Sequence, residues 1–227
     1  MAEDLDGALV LGGSARPIGS AIAFIECPIG DVRAAIDEIR AEATIEVAGP
    51  MPFADALRRL DPMQAPWTKE VVADCGRWTA YVNNFVNGGD PSAIAPALAQ
   101  RLGVACVTAE HTKRYGPGHE STQLWMQGPT GRPPLMGIRS LAAHCADGRW
   151  SWHEHGDVQP FEQVERYSAR RKRDRLDRPL LVSYLSAMEI DVDGADFFGD
   201  AHLISQIVDW PVRSESVATF WSNNGWT

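Results

Sequence analysis

The chain has 227 residues, a length typical of one large or two small domains, and 44% of them are hydrophobic, enough to form a packed core. Its formal net charge of −9 at pH 7 disfavours general binding to nucleic acid or to anionic membranes. No apolar run approaches the roughly 18–20 residues of a membrane span, and the acidic start MAEDLDG lacks the basic-then-apolar order of a secretion signal.

The first third of the chain predicts one strand followed by two helices. Ser20–Cys27 is a short apolar run typical of a buried strand. Pro28 and Asp31 then open a helix whose apolar residues recur at helical spacing up to Ile39. A second, shorter helix is predicted at Phe53–Leu60, where apolar residues again form one face.

Pro62 and Pro66 bracket the segment DPMQAPW, which is the best candidate for a boundary. We therefore predict an N-terminal strand–helix segment over residues 1–65, either a subdomain or packed on the main sheet. Residues 66–227 are predicted to form the main domain, with C-terminal helices and a tail.

The middle of the chain predicts a series of strands around one helix. Asp90 caps this helix with Pro91 at its first position, and the helix ends at Gly103. The predicted strands are Lys69–Asp74, Arg77–Asn83, Val104–Glu110, Thr122–Gln127, Leu135–Cys145 and Arg149–His155. The last three should be consecutive antiparallel neighbours, because a Gly/Pro-rich connection and the dipeptide Asp147-Gly148 join them.

Two further helices are predicted before a C-terminal tail without a clear period. The first runs from Phe161 to about Arg175 and stops before Pro179, and the second covers Leu180–Met188. The fold class is therefore α+β: a mainly antiparallel sheet of about five to six strands, with helices packed on one side.

The helix predicted from Phe161 is strongly basic within an otherwise acidic protein. Residues 161–178 contain seven of the 21 Lys and Arg against four acids, which leaves the rest of the molecule at −12. Three pairs at i,i+4 spacing would stabilise such a helix: Glu162/Arg166, Arg170/Asp174 and Arg173/Asp177. Arg171, Lys172 and Arg175 lack an acidic partner at this spacing, and pairing with the acidic body, a partner protein or a phosphate are the alternatives. We predict Arg170, Lys172 and Arg173 as an outward, partner-binding surface.

Within this predicted helix, Phe161, Val164, Ser168 and Tyr167 are expected to face the sheet. Arg171 and Arg175 should lie at the edge of that buried stripe, paired with acids or backbone carbonyls.

The sequence His153-Glu154-His155 is a weak candidate for a metal site. Strand alternation puts both histidines on one face about 6–7 Å apart, close enough to share a metal ion. A third ligand would have to come from His144, Asp157 or Glu162, none at convincing spacing. We therefore predict no catalytic metal here, with both histidines at least partly exposed or bonded to neighbours. No cofactor is predicted, and no catalytic residue is assigned.

Two other motifs are better explained as surface turns. The segment ALVLGGSARPIGSAIA, with Gly12, Gly13 and Gly19, resembles the dinucleotide-binding turn of short-chain dehydrogenases, but a strand-like run follows where that turn needs a helix. The loop HTKRYGPGH between His111 and His119 could close over an anion, although a solvated loop is favoured.

The four cysteines, Cys27, Cys75, Cys106 and Cys145, are far apart and form no CxxC pair. Three of them lie in apolar, strand-like runs, which favours buried, reduced thiols over a disulfide framework or a zinc site. Together with the missing secretion signal, this predicts a cytoplasmic protein.

Several blocks resemble a family of uncharacterised bacterial proteins related to suspected immunity proteins of polymorphic toxin systems. These blocks are Trp78–Asn84, Asp90-Pro91, Leu98–Gly103, Asp147–Trp150, Pro160–Glu162 and Tyr167–Arg175. The resemblance spans about residues 78–188 and implies a fold and a compartment rather than an activity. An acidic surface would complement a basic toxin.

The leading hypothesis is a non-enzymatic cytoplasmic interaction protein, possibly of immunity type, that binds a protein partner through charged surface. One alternative is an enzyme that uses the sheet face of His153 and His155. Another is a binder of small molecules or peptides. It would use tryptophans of the sheet and tail, namely Trp78, Trp125, Trp150, Trp152, Trp210, Trp221 and Trp226.

Overall fold

A computed structural model describes residues 8–14, 17–113 and 120–224 of the chain. Nine strands form one antiparallel sheet in the order β2-β10-β4-β5-β1-β6-β7-β8-β9. They are β1 (Ala21–Ile25), β2 (Thr44–Met51), β4 (Lys69–Cys75), β5 (Trp78–Asn83), β6 (Cys106–Thr112), β7 (Glu120–Arg132), β8 (Gly137–Ala146), β9 (Arg149–Gly156) and β10 (Ala201–Ile207). Two short strands, β3 (Met63–Ala65) and β11 (Arg213–Glu215), pair separately. The α+β class with a mainly antiparallel sheet is confirmed, and the sheet is larger than predicted.

Five α-helices pack on the two faces of this sheet, so the prediction that helices lie on one side is wrong. They are α1 (Ile29–Ile39), α2 (Phe53–Arg58), α3 (Ala95–Leu102), α4 (Arg178–Ala187) and α5 (Val217–Asn224). Helices α2, α4 and α5 bury their apolar residues in the larger core on the first face. Helices α1 and α3 bury theirs in a smaller core on the second face.

Strand β1 shows why both faces need cover. Its five residues are all buried; Ile22 and Phe24 point to the larger core, whereas Ala23 and Ile25 point to the smaller one. Successive strand side chains alternate between faces, so a continuous apolar run requires packing on both. The run of apolar residues in the sequence therefore encodes a central strand.

The three strands β7, β8 and β9 are consecutive antiparallel neighbours, as predicted. The turn between β8 and β9 is formed by Asp147 and Gly148, both with positive φ (50° and 74°). The predicted cap also forms: the Asp90 side chain accepts a hydrogen bond from the Ser92 N–H at 3.0 Å. It starts a 3-10 turn rather than an α-helix, and α3 follows and ends at Gly103 with φ 69°.

The described part of residues 1–65 contributes two strands to the main sheet. Strand β1 lies in its interior between β5 and β6, and β2 forms one edge by pairing with β10. The segment predicted as a boundary forms β3, whose Met63 is fully buried in the larger core. Strand β10 itself lies between β2 and β4 and comes from the tail in which the sequence showed no period.

The predicted helix from Phe161 to about Arg175 is wrong. This stretch forms two 3-10 turns, Val164–Ser168 and Lys172–Asp174. Val164 and Ser168, predicted to face the sheet, are exposed, whereas Phe161 and Tyr167 do pack against the larger core. The following helix α4 begins near its predicted start, with Asp177 accepting a hydrogen bond from the Leu180 N–H at 3.0 Å.

The physical reason for this error is a buried ion pair on the first face. The Glu162 carboxylate accepts hydrogen bonds from the Arg139 guanidinium at 2.7 Å and from the Tyr167 hydroxyl at 2.8 Å. Glu162 is thereby unavailable for the i,i+4 pair with Arg166, which instead contacts Asp177 at 3.0 Å. Tertiary pairing overrides the local charge pattern that predicted a helix.

No helix in the described part of the chain is long and apolar enough to cross a membrane.

Candidate functional site

Helices α1 and α3 leave part of the second face of the sheet uncovered. These helices pack over β4, β5, β1 and β6, where Ala23 is fully buried. On β8, in the interior of the same sheet, Ala142 points to the same side yet is only half-buried. Because a small side chain in an interior strand is exposed only when nothing packs over it, the face of β7, β8 and β9 is open near Ala142.

The strand register places twelve side chains of β6, β7, β8 and β9 on this face in three rows. We call them the polar array: Thr112, Ser121, His144 and Ser151; Glu110, Gln123, Ala142 and His153; Thr108, Trp125, Ser140 and His155. Some side chains of the array, such as Thr108 and Ser121, are buried, and the remaining ones are half-buried or exposed. The array holds three imidazoles and one indole but no Lys or Arg, and Glu110 is its only carboxylate.

His153 and His155 both lie in this array and are exposed, as the sequence predicted. The His153 ring stacks on His144, with centroids 5.3 Å apart and planes 12° from parallel. The other proposed ligands lie elsewhere: Glu162 is buried on the first face with Arg139, and Asp157 contacts Arg132 at 3.4 Å. The described residues contain no group of three or more His, Cys, Asp or Glu that could hold a metal ion.

A cavity of about 550 Å³ lies at one end of the array. Its floor includes Glu110, Ser121, Gln123 and His144 from the array, and residues 85–92 form one wall. This volume falls within the roughly 300–1,000 Å³ typical of ligand pockets. The open face and the cavity therefore form one continuous candidate site.

The wall of residues 85–92 is held by hydrogen bonds from the end of β5. The Asn83 side-chain oxygen accepts from the N–H groups of Phe85 (3.1 Å) and Asp90 (2.9 Å). Its amide nitrogen donates to the Asp90 carbonyl at 2.7 Å. Gly88 packs its backbone against the Pro17 carbonyl so closely that an added Cβ would lie 2.1 Å from that oxygen. The wall is thus fixed by contacts to β5 and to the segment before β1.

Glu110 is the most perturbed acid in the cavity. Burial raises the pKa of its carboxyl; hydrogen bonds from Ser121 and Gln123 lower it, and the neighbouring Asp90 carboxylate raises it further. The Gln123 amide lies 3.4 Å from a Glu110 oxygen and only 2.5 Å from the Ser121 hydroxyl, so its bond to Glu110 is weak. No Lys or Arg of the described residues forms an ion pair with Glu110.

Replacing Glu110 with glutamine should change how the free energy of unfolding depends on pH. Because the folded-state pKa is raised, wild-type stability should fall as pH rises from about 4.5, the ordinary value of a glutamate, through the folded-state pKa. The uncharged variant should lack this loss, so it should match wild type near pH 4 and exceed it at pH 8. Urea unfolding at both pH values checks this, and equal pH slopes for the two proteins would contradict it.

The tryptophans predicted as a binding surface are not brought together. Trp125 alone belongs to the array, whereas Trp78 is buried in the larger core and Trp150 and Trp152 pack against that core. Trp210 is exposed elsewhere and Trp226 lies outside the described residues. The loop from His111 to His119 lies largely outside them too, and His111 itself is buried, 2.9 Å from the Thr122 hydroxyl.

The glycine-rich segment does not build a dinucleotide site in its described part. Val10–Gly13 forms a 3-10 turn rather than the loop between a strand and a helix, and β1 follows it. The Gly12 N–H, which would face a phosphate in such a motif, instead donates to the Asp193 carboxylate at 3.2 Å.

All four cysteines are buried and free, in agreement with the prediction of reduced thiols. Burial raises the pKa of Cys75 and of Cys106 to about 12, so both remain protonated thiols at neutral pH. Neither is suited to act as a nucleophile.

The predicted partner-binding residues Arg170, Lys172 and Arg173 are all exposed. Lys172 and Arg173 lie in the second 3-10 turn and Arg170 in the link between the two turns, rather than on a helix face. Arg175 donates to the Ala169 carbonyl at 3.0 Å, as expected for a residue at the edge of the core, whereas Arg171 is exposed. The pairs predicted within a helix are replaced by others, including Arg173 with Asp174 at 3.6 Å.

Replacing both Arg170 and Arg173 with glutamate should change the free energy of unfolding by less than about 1 kcal/mol. The two side chains are exposed, and exposed ion pairs contribute little. Urea unfolding of the double variant checks this. If the double variant is unfolded instead, the two arginines are required for the stability of the fold.

Comparison with protein-family models, with curated proteins and with solved structures gives no match to this chain.

Proposed function

We propose that the protein is a non-enzymatic binding protein that holds an extended segment of a protein partner across the polar array. The observation that carries this proposal is the uncovered second face of β7, β8 and β9. A sheet face without a covering layer is normally polar, and Lys, Arg, Glu and Asp are common on exposed surface. Here the exposed centre is nearly free of charge and presents Trp125, Gln123 and three imidazoles. Depletion of charge around an aromatic residue is typical of the centre of an interface.

The size of the array favours a segment over a whole folded surface. Four strands about 4.8 Å apart and three rows about 7 Å apart give an area of roughly 14 by 14 Å. This is well below the about 800 Å² per partner of a standard protein interface. An extended peptide of four or five residues matches that length, and the cavity at the end of the array would receive one of its side chains.

The chemistry of the site favours binding over catalysis. The Ser121 hydroxyl accepts a hydrogen bond from the Gln123 amide and lies beside the Glu110 carboxyl. The Thr122 hydroxyl, which is hydrogen-bonded to the His111 ring, is buried on the first face, away from the array. The array therefore offers hydrogen-bond donors and acceptors for recognition, and among the described residues no hydrogen bond joins one of its hydroxyls to a histidine base.

We further propose that the partner is basic, that the protein is of immunity type, and that it works in the cytoplasm. The net charge of −9 and the carboxylates of the cavity support a basic partner. The sequence blocks that resemble immunity-related proteins include residues of β5, α3 and β9, which build or adjoin the site.

Selection of binders from a displayed library of random peptides tests this function. Ser140→Arg would place a large charged side chain in the third row of the array, between Trp125 and His155. We expect peptides selected on the wild-type protein to lose at least about tenfold in affinity for this variant. The double variant Arg170→Glu/Arg173→Glu should keep them.

The opposite result would overturn the proposed surface. If the selected peptides no longer bind the double arginine variant but still bind Ser140→Arg, the contact lies at Arg170 and Arg173 rather than on the array. Thermal unfolding of both variants serves as the folding control, since Ser140 is half-buried and both arginines are exposed.

A further inference from the structure

The cavity at the end of the polar array is acidic. Asp90, Glu110 and Glu120 line it, and the described residues of its lining include no Lys or Arg. Of these, the Asp90 carboxylate is engaged locally, because it accepts hydrogen bonds from the Ser92 N–H at 3.0 Å and hydroxyl at 2.5 Å. Asp90 keeps its negative charge, and Glu110 and Glu120 carry the other two carboxyl groups of the described lining.

Glu110 has spare capacity to accept hydrogen bonds. An ionised carboxylate can accept about four. Among the described residues, Glu110 has the long contact of 3.4 Å from Gln123 and a hydrogen bond from the Ser121 hydroxyl, fewer than it can accept. A largely buried carboxylate with two donors and no cationic partner in the described part of the chain is costly unless a positive group is supplied.

The position of Glu110 directs such a group into the cavity. Its backbone pairs with Ala21 on β1 and Gln123 on β7, so its side chain rises from the interior of the sheet. The neighbouring Ala21 is small and leaves space above β1, where the wall of residues 85–92 closes the cavity. A ligand that enters along the array would meet Glu110 at the closed end.

We propose that this cavity binds the side chain of a basic residue, an arginine or lysine, with Glu110 as its principal anion. The inference rests on the proposed function, because the basic residue belongs to the segment held across the array. A guanidinium would form two parallel hydrogen bonds to the Glu110 carboxylate, whereas an ammonium would form one charge-assisted bond.

Titration calorimetry of the whole protein with blocked single amino acids tests the cavity without a partner. The probes are N-acetyl-arginine amide, N-acetyl-lysine amide and N-acetyl-citrulline amide, the last a neutral analogue of nearly the same shape as arginine. We expect either cationic probe to bind at least about tenfold more tightly than citrulline, and binding to weaken as salt is raised. A preference for the arginine probe over the lysine probe would identify the bidentate arrangement.

Glu110→Gln should reduce binding of the cationic probe by at least about tenfold while leaving the protein folded. The control Glu38→Gln removes one carboxylate on the exposed surface of α1, far from the cavity lining, and should bind like wild type. Equal binding of citrulline, or unchanged binding by Glu110→Gln, overturns the proposal.

Failure of the cavity proposal is distinguishable from failure of the proposed function. If no cationic probe binds while Ser140→Arg still abolishes binding of selected peptides, the array binds its partner and the cavity does not take a basic residue. If the probes bind through Glu110 and no selected peptide depends on Ser140, the cavity stands and the extended-segment function is overturned.

Discussion

Replacing Glu162 with glutamine will lower the free energy of unfolding by up to about 3–5 kcal/mol, because the buried Arg139 guanidinium then keeps only the partly exposed Glu154 carboxylate, at 3.1 Å, as its counter-charge. The side chains of Arg139 and Glu162 are 3% and 0% exposed. The Glu162 carboxylate also accepts hydrogen bonds from the Tyr167 hydroxyl at 2.8 Å and the Gln159 N–H at 2.8 Å. Urea unfolding of the single variant measures the loss.

Two controls separate the buried pair from a general effect of removing charge. Asp157→Asn breaks the contact with Arg132, whose side chain is 69% exposed, and should cost less than about 1 kcal/mol. The double variant Arg139→Met/Glu162→Leu should be more stable than Glu162→Gln, since no charge is then left buried. A loss below about 1 kcal/mol for Glu162→Gln would show that water reaches the pair.

Gly88→Ala will destabilise the protein by at least about 1–3 kcal/mol, the range for a residue held in a sparsely populated backbone conformation. Gly88 has φ 103°, and its added Cβ would lie 2.1 Å from the Pro17 carbonyl oxygen, which belongs to backbone and moves only with its segment. The wall of the cavity must therefore shift or separate from the segment before β1. Thermal and urea unfolding measure the loss.

Gly30→Ala is the matched control for this glycine. Gly30 lies in the first turn of α1, and an added Cβ would meet no atom within 4 Å. Alanine there should leave the protein unchanged or stabilise it by about 0.5–1 kcal/mol, because glycine is the weaker helix former. If both alanine variants proved equally stable, the contact between Gly88 and Pro17 would not constrain the cavity wall.

The strands that the sequence predicted are those whose signals are local. Strands β7, β8 and β9 follow one another through a Gly/Pro-rich connection and an Asp147-Gly148 turn, so neighbouring residues determine their pairing. Strand β2 is an edge strand with exposed residues and contains Gly49-Pro50, which removes both the apolar run and the alternation. Strand β10 pairs with β2 and β4, more than a hundred residues away, and no local signal specifies such partners.

The candidate site was also predictable only in part, because some of its residues are brought together by contacts between distant parts of the sequence. His153 and His155 could be placed on one face because strand alternation is local. Their neighbours Gln123 and Trp125 join them only through the register of β7, β8 and β9. Glu110 gave no signal in the sequence, since its significance depends on the wall of residues 85–92. The error at Phe161–Arg175 came from assigning Glu162 a local partner.

The position of β10 determines the order in which the sheet can be completed during synthesis. Strand β2 pairs with no strand of the main sheet except β10, so it stays detached until residues 201–207 have left the ribosome. Until then β4 presents an unpaired edge that carries Val71 and Val72, both fully buried in the finished protein. Nascent chains therefore pass through a stage in which an apolar strand edge is unpaired, and this favours association with chaperones or with other nascent copies.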